Sequence, residues 1–216
     1  MAVLLAAPAG WVDAVGWLAI GTLFLAHMSC NSASAAIHAA RGQWGPFLHR
    51  LGPIPCFVFG LALGRVIGHV LERRRVRRRL ASLLAIEGGF IVAAFIAWVL
   101  GALDWMTWPL AAAMGVQSAA LRHVAGHDVR TTFVTGMIVA IVDECIAVAL
   151  RLGGDSSFVR LYGSVWLAFC SGAFAAAATL RALSFWTLGV PLAVLAFVLV
   201  VEVVRPLARP ETHALR

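Results

Sequence analysis

The residues of this 216-residue chain that could do chemistry are a small set of acids, amides and hydroxyls set in long apolar stretches. Asp13 and Asn31 lie near the N-terminus, and Gln117, Thr132, Thr135 and Asp143 lie in the second half. None is a nucleophile with a base beside it. Such a set can offer oxygens to a polar or cationic solute, or pass a proton. A charge at the centre of a bilayer costs about 2.5–3.5 kcal/mol even on insertion scales, so each ionisable residue there needs a partner, water or a function. Gly136, Val139 and Asp143 follow Thr132 by four, seven and eleven residues, which sets all four on one helix face. Thr135 flanks that stripe, able to donate to a ligand but more commonly bonded back to its own helix carbonyl. For Asp143 and Glu144, a site or proton-relay role stands beside pairing with an arginine elsewhere. Asp13, one turn from Trp17 with Gly10 and Gly16 beside it, either faces a polar cavity or occupies a helix start, where the dipole favours an acid.

Other chemistries find less support. His27, Asn31 and His38 share a face if their segment is helical throughout, and two histidines on a membrane helix can hold a haem or a chlorophyll-type magnesium. Bonding to a neighbouring helix is the expectation instead. His123 and His127 have the i,i+4 spacing of metal ligands, but Gly126 and the surrounding charges read as a solvated turn. Cys30, Cys56, Cys145 and Cys170 are far apart in apolar sequence, with neither a C-x-x-C pair nor a disulfide ladder, and read as reduced, buried thiols. The chain has no G-x-S-x-G, no H-E-x-x-H and no phosphate loop. The expectation is a protein that is not an enzyme and uses no cofactor and no metal.

Composition says what must position these residues. Hydrophobic residues make up 62% of the chain and charged residues 12%, and the mean hydropathy is +0.91. A soluble domain of this length would lack polar side chains to cover its surface, so the chain reads as a multipass membrane protein. A crossing takes about 20 apolar residues, so there is room for six to eight spans and none for a sizeable soluble domain. The net charge of +7 is concentrated rather than spread: Arg73–Arg79 (RRRVRRR) holds six arginines between two apolar segments. That is the mark of a cytoplasmic loop, also placed to touch anionic lipid. With no aromatic residue interleaved to stack on bases, nucleic acid is not expected as a partner. The opening MAVLLAAPAGW lacks the basic start of a signal peptide and reads as part of the first membrane segment.

Taken in order, Val12–Ala40 is apolar but broken by Gly16, Gly21, Thr22 and the polar run Ser29–Ser34, which fits one discontinuous helix or two short ones. Arg41–Pro55, with three Pro, three Gly and a Trp, reads as an interfacial loop. Cys56–Leu71 is a span in which Gly60, Gly64 and Gly68 form a groove that admits a close helix neighbour, in this chain or another. Arg65 and His69 can snorkel toward the arginine loop. Leu80–Leu103 is the next span, with Glu87 about a turn and a half inside its start, and Asp104, Trp105 and Trp108 mark the opposite interface. Then come a helix over Pro109–Leu121, a charged turn over Arg122–Arg130, a helix over Thr131–Leu150, a loop over Arg151–Val159, and spans over Arg160–Leu180 and Ser184–Val204.

The second half repeats the order of the first. Gly10 aligns with Gly115, Asp13 lies near Gln117, Phe24 aligns with Phe133, and the Gly60/Gly64/Gly68 face matches Ser164, Ala168, Gly172 and Ala176. The offsets drift from 105 to 112, as small loop insertions require. This predicts an all-α, polytopic transmembrane helix bundle of two related repeats, 1–103 and 104–205, with a polar tail over 206–216. If every later segment crosses, as expected, the Arg122–Arg130 turn is cytoplasmic and the tail with Arg205, Arg209 and Arg216 lies outside. A single crossing with a re-entrant break over 109–150 would instead return the tail inside and make the halves an inverted repeat.

At Gly10-x-x-Asp13-Ala14, FLAHMSCN (Phe24–Asn31), MGVQSAAL (Met114–Leu121) and TTFVTG (Thr131–Gly136), the chain resembles the YoaK family of small bacterial multipass membrane proteins over nearly its whole length. That family typically reads M-T-G-N where this chain has Met28-Ser29-Cys30-Asn31, so the Asn is kept and a Gly hinge is replaced by Cys. The resemblance implies a bacterial cytoplasmic (inner) membrane location and a repeat architecture, with no settled activity to carry over.

Two functions fit. One is a small-solute transporter or channel whose polar site between the repeats is lined by Asp13, Asn31, Gln117, Thr132, Thr135 and Asp143 and takes a polar or cationic solute, as secondary transporters do. The other is a non-catalytic subunit or assembly factor of a larger membrane complex, packing laterally on the bilayer, on a second copy or on a partner through the Gly60/Gly64/Gly68 face. Both place Arg73–Arg79 on the cytoplasmic side. A cysteine introduced into that run should therefore resist an impermeant thiol reagent applied to intact cells and react once the membrane is opened.

Overall fold

The computed structural model describes residues 2–76, 78–120 and 134–204, and every regular element among them is helical. In chain order these are α1 (Ala2–Ala19), α2 (Met28–Ala40), α3 (Trp44–Leu51), α4 (Pro53–Arg73), α5 (Arg79–Val99), α6 (Leu103–Ala120), α7 (Val134–Ala149), α8 (Ser156–Leu183) and α9 (Gly189–Val204). A 3-10 turn, Ser184–Leu188, joins the last two. Four stretches are long and apolar enough to cross a membrane: Ala2–Ala19, Trp44–Arg73, Arg79–Val99 and Ser156–Val204.

Two helices form the centre. α1 and α6 are each buried on most sides, as expected of helices that are apolar all round. α1 packs chiefly on α8 and also on α9, whereas α6 packs on α4 and α5. α1 begins at Ala2, so the apolar opening is part of the first membrane-length helix, as expected, and it is packed: Leu5, Ala6 and Ala9 are fully buried. α6 likewise begins at Leu103 and runs through Pro109. Each central helix thus carries an internal proline, Pro8 or Pro109, which removes one backbone bond from the ladder.

The tightest approaches occur twice with matching residues. On α4, Gly60 lies against the backbone of Ala112, and on α6 Gly115 lies against the Phe57 carbonyl and the Leu61 amide. On α8, Gly172 lies against the backbone of Ala7, and on α1 Gly10 lies against the Phe169 carbonyl and the Ala173 amide. Only glycine lets two helix backbones come this close. Each crossing joins a helix before residue 103 to one after it. The occupant of the Gly60/Gly64 face is therefore α6 of the same chain, while Gly68 lies against the Arg79 guanidinium. Of the matching set on α8, Gly172 and Ala176 are buried, Ala168 is half-buried and Ser164 is exposed.

The interfacial loop expected over Arg41–Pro55 contains a helix of its own. Residues of α3 are all at least partly exposed, with Trp44 and Leu48 prominent, and Pro53 opens α4 at the position where proline suits a helix start. An amphipathic helix of this kind lies in the plane of a membrane interface. Arg74, Arg75, Val76 and Arg78 lie between α4 and α5, where the Arg79 guanidinium pairs with Glu72 at 3.3 Å. The four thiols are free, but Cys30 and Cys145 are exposed, not buried as expected.

Because Gly60 and Gly172 each face backbone, Gly60→Val and Gly172→Val should each lower stability by about 1–3 kcal/mol, the usual cost of overpacking. Gly88, with open space around it, is the control: Gly88→Ala should be neutral or stabilising by up to about 1 kcal/mol through helix propensity. Thermal unfolding in detergent measures both.

Candidate functional site

Between α1 and α2 the helix is interrupted over residues 20–27, yet Ile20, Leu23, Leu25 and Ala26 are buried. Irregular backbone at membrane depth survives only where its polar groups are satisfied by protein or by a wet cavity. Two side chains supply the partners. Asp13 Oδ1 accepts from the Leu25 and Ala26 amides at 2.7 and 2.6 Å, while its Oδ2 lies 2.5 Å from His27 Nδ1. Asn31 grips the peptide groups of Phe24 from both sides: its Oδ1 accepts from the Phe24 amide at 3.0 Å, and its Nδ2 donates to the Phe24 carbonyl at 2.5 Å. The residue types fit the task, since a carboxylate can accept from several amides at once and a side-chain amide carries a donor and an acceptor on separate atoms, matching the N–H and C=O of one residue. The His27 ring rests edge-on against Phe169 of α8, with its Nε2 buried and unpartnered among the described residues.

A second polar group bridges the centre. Gln117 of α6, fully buried, donates from Nε2 to the Leu5 carbonyl of α1 at 2.5 Å. Leu5 lies in the turn disturbed by Pro8, where the backbone ladder is interrupted. The Gln117 Oε1 is buried with no partner among the described residues.

The third is Glu87 on α5. It is completely buried, and neither carboxylate oxygen has a hydrogen-bond partner among the described residues. It shares a face with Leu84, Ile91 and Ala94, all buried. Counted from the turn at residues 100–102, Glu87 lies 13 residues back and Gln117 lies 15 residues on, so both sit about 20–23 Å from that turn on neighbouring antiparallel helices. The sequence held a signal for Glu87, a lone acid in a 21-residue apolar helix at the spacing of its buried face.

The expected site residues therefore part company. Asp13 and Asn31 come together on the break, and Gln117 reaches the same helix two turns earlier. Thr135 and Asp143 are exposed on α7, away from the other three, and Thr132 lies outside the described residues, as do His123 and His127. On α7, Met137, Ala140 and Ile141 pack inward, which turns Val139, Val142, Asp143 and Ile146 outward. Glu144 accepts a hydrogen bond from the Asp155 amide at the foot of α8. His38 Nδ1 lies 2.6 Å from Gln43 Oε1, so the two histidines of the first segment serve different partners.

Among the described residues lie three external grooves that do not involve Asp13, Asn31, Gln117 or Asp143. One of about 210 Å³ lies where the α3–α4 corner meets the start of α6, an apolar one of about 430 Å³ runs between α4, α5 and α6, and one of about 320 Å³ lies between α7 and α8.

A helical bundle with four membrane-length apolar stretches and buried, bonded polar residues at its centre is a polytopic membrane protein. The chain belongs to the family described as "Protein of unknown function (DUF1275)", whose profile matches residues 1–201. No curated protein and no solved structure matches it.

If Asp13 and Asn31 hold the break, Asp13→Asn and Asn31→Ala should each loosen it. Bonds to a charged group contribute about 1.5–3 kcal/mol, so amide exchange at Leu25 and Ala26 should quicken by roughly 10- to 100-fold in Asp13→Asn. In Asn31→Ala the change should centre on Phe24. Hydrogen–deuterium exchange of the full chain reads both.

Proposed function

We propose that this protein is a proton-coupled transporter of a small polar or cationic solute in the bacterial cytoplasmic membrane, a YoaK-type member of its family with six to eight spans. The observation that carries the proposal is Glu87: a carboxyl group fully buried in a membrane-length helix, with both oxygens unpartnered among the described residues. Such a group is costly for a chain that only packs, and intramembrane acids of this kind mark proton and ion pathways. Gln117, at the same depth with a free acceptor oxygen, is the second member of the site. Asp13 and Asn31 act one step back, by fixing the shape of the broken helix rather than by touching solute.

The doubled crossing supports a two-repeat architecture. Ala7 and Gly10 correspond to Ala112 and Gly115 at an offset of 105, and Phe57, Gly60 and Leu61 correspond to Phe169, Gly172 and Ala173 at an offset of 112. Secondary transporters place broken helices and buried polar groups at such a repeat interface.

One observation favours the other function, a subunit of a larger membrane complex: Asp143 is exposed among Val139, Val142 and Ile146, and a carboxylate on an apolar membrane face needs a partner outside the chain.

Charge movement separates the two. In proteoliposomes on a solid-supported membrane, a panel of small cationic and neutral polar solutes should give a pH-dependent current with at least one member. Glu87→Gln should abolish that current while leaving thermal stability intact. Silence across the panel, with Asp143→Asn releasing a co-purifying membrane partner, would replace transport with the subunit function.

A further inference from the structure

The grooves at the α3–α4 corner and between α4, α5 and α6 meet at one residue. Trp108 lines both, and the two open on the same side of the molecule, at the end of α4 and α6 remote from the arginine turn. Their chemistries differ. The corner groove carries the polar groups of His49, Asp104 and Thr107 beside Trp105. The other is apolar throughout: Cys56 and Phe59 come from α4, Phe90 and Ala93 from α5, Pro109 and Ala112 from α6. From Asp104 to Ala112 the pair extends about 12 Å along α6.

From these features we infer that the joined grooves form a binding site for a single membrane phospholipid bearing an ammonium headgroup. Three features select that occupant. The apolar groove continues inward from the polar one, as an acyl chain continues from its headgroup. The amphipathic α3, which borders the corner, sets that pocket at the level of the membrane interface, where headgroups lie. The pocket's own chemistry is cation-seeking: the Asp104 carboxylate stands beside Trp105 and Trp108, whose rings form a tilted pair 4.9 Å apart. A carboxylate next to exposed indole faces is the environment that holds an ammonium group, by charge and by the negative face of the ring. His49, across the same pocket, offers a ring N–H to the phosphate. The site stands independently of any transport activity, since it uses none of Glu87, Gln117, Asp13 or Asn31.

Purified full-length protein incubated with vesicles of equimolar phosphatidylethanolamine and phosphatidylglycerol, then examined by native mass spectrometry, tests the assignment. The wild type should retain phosphatidylethanolamine over phosphatidylglycerol by about fivefold, the equivalent of roughly 1 kcal/mol for an exposed cation–aromatic contact. Asp104→Asn should bring that ratio close to one, and Ala93→Trp, which fills the apolar groove, should strip bound lipid of both kinds. Trp108→Phe should keep most of the preference and Trp108→Ala should lose it, with thermal unfolding confirming that each variant is folded. Equal retention of the two lipids by the wild type, a preference untouched by Asp104→Asn, or bound lipid undiminished in folded Ala93→Trp would each overturn the assignment. Selective retention of phosphatidylglycerol would overturn it equally, since it requires a basic pocket.

Discussion

The constraint on which the rest of this structure depends is that backbone polar groups inside a membrane must find partners within the protein. The chain breaks a helix at residues 20–27 and then buries the break. The Leu25 and Ala26 amides turn to Asp13, and both peptide groups of Phe24 turn to Asn31. Those few bonds fix the angle between α1 and α2, hold His27 against α8, and leave α1 free to occupy the centre. Between the two central helices, Gln117 reaches across from α6 to the Leu5 carbonyl of α1, one residue after the carbonyl that Pro8 leaves without a helix donor.

Much of the architecture is legible in the sequence because it follows from composition and periodicity. The apolar content fixes the class, the six arginines of Arg73–Arg79 fix a turn, and the four-residue spacing of Gly60, Gly64 and Gly68 marks a face that meets another helix. Less legible were features decided by tertiary competition. The exposed helix Trp44–Leu51 hides in a stretch rich in proline and glycine, since Pro46 and Pro53 fall at or near helix starts, where they do no harm. α7 turns Met137 and Ile141 inward and Asp143 outward, a choice that its sequence, bulky and apolar on both sides, does not reveal. Glu87 is visible in the sequence as a residue and invisible as a site, because only the packing of α5 on its neighbours shows that no described residue answers its carboxylate.

The polar centre divides its labour between groups that are satisfied and groups that are not. Asp13 and Asn31 are saturated by their own chain, which suits residues that hold shape. Glu87 and the Gln117 oxygen are buried and open, which suits residues that exchange partners. Buried polar atoms in proteins are overwhelmingly bonded, so the Glu87 carboxylate and the Gln117 oxygen, with His27 Nε2 at the break, stand apart from the rest of the described core. The outer surface is divided in a comparable way, with a wholly apolar groove beside α5 and the exposed Asp143 carboxylate on α7.

The crossing of α1 with α8 also bears on biosynthesis. A ribosome releases α1 first, yet the helix that receives Gly10 and Ala7 begins only at Ser156. Until then α1 has only the residues of its own break and the Gln117 bond from α6 to hold it. α4 and α6, by contrast, are separated by a single hairpin and can pair as soon as α6 emerges. At roughly 5–20 residues per second, the interval between α1 and α8 lasts on the order of ten seconds or more. Over that interval the N-terminal helix is a client of the insertion machinery, and the protein closes from its second half back onto its first.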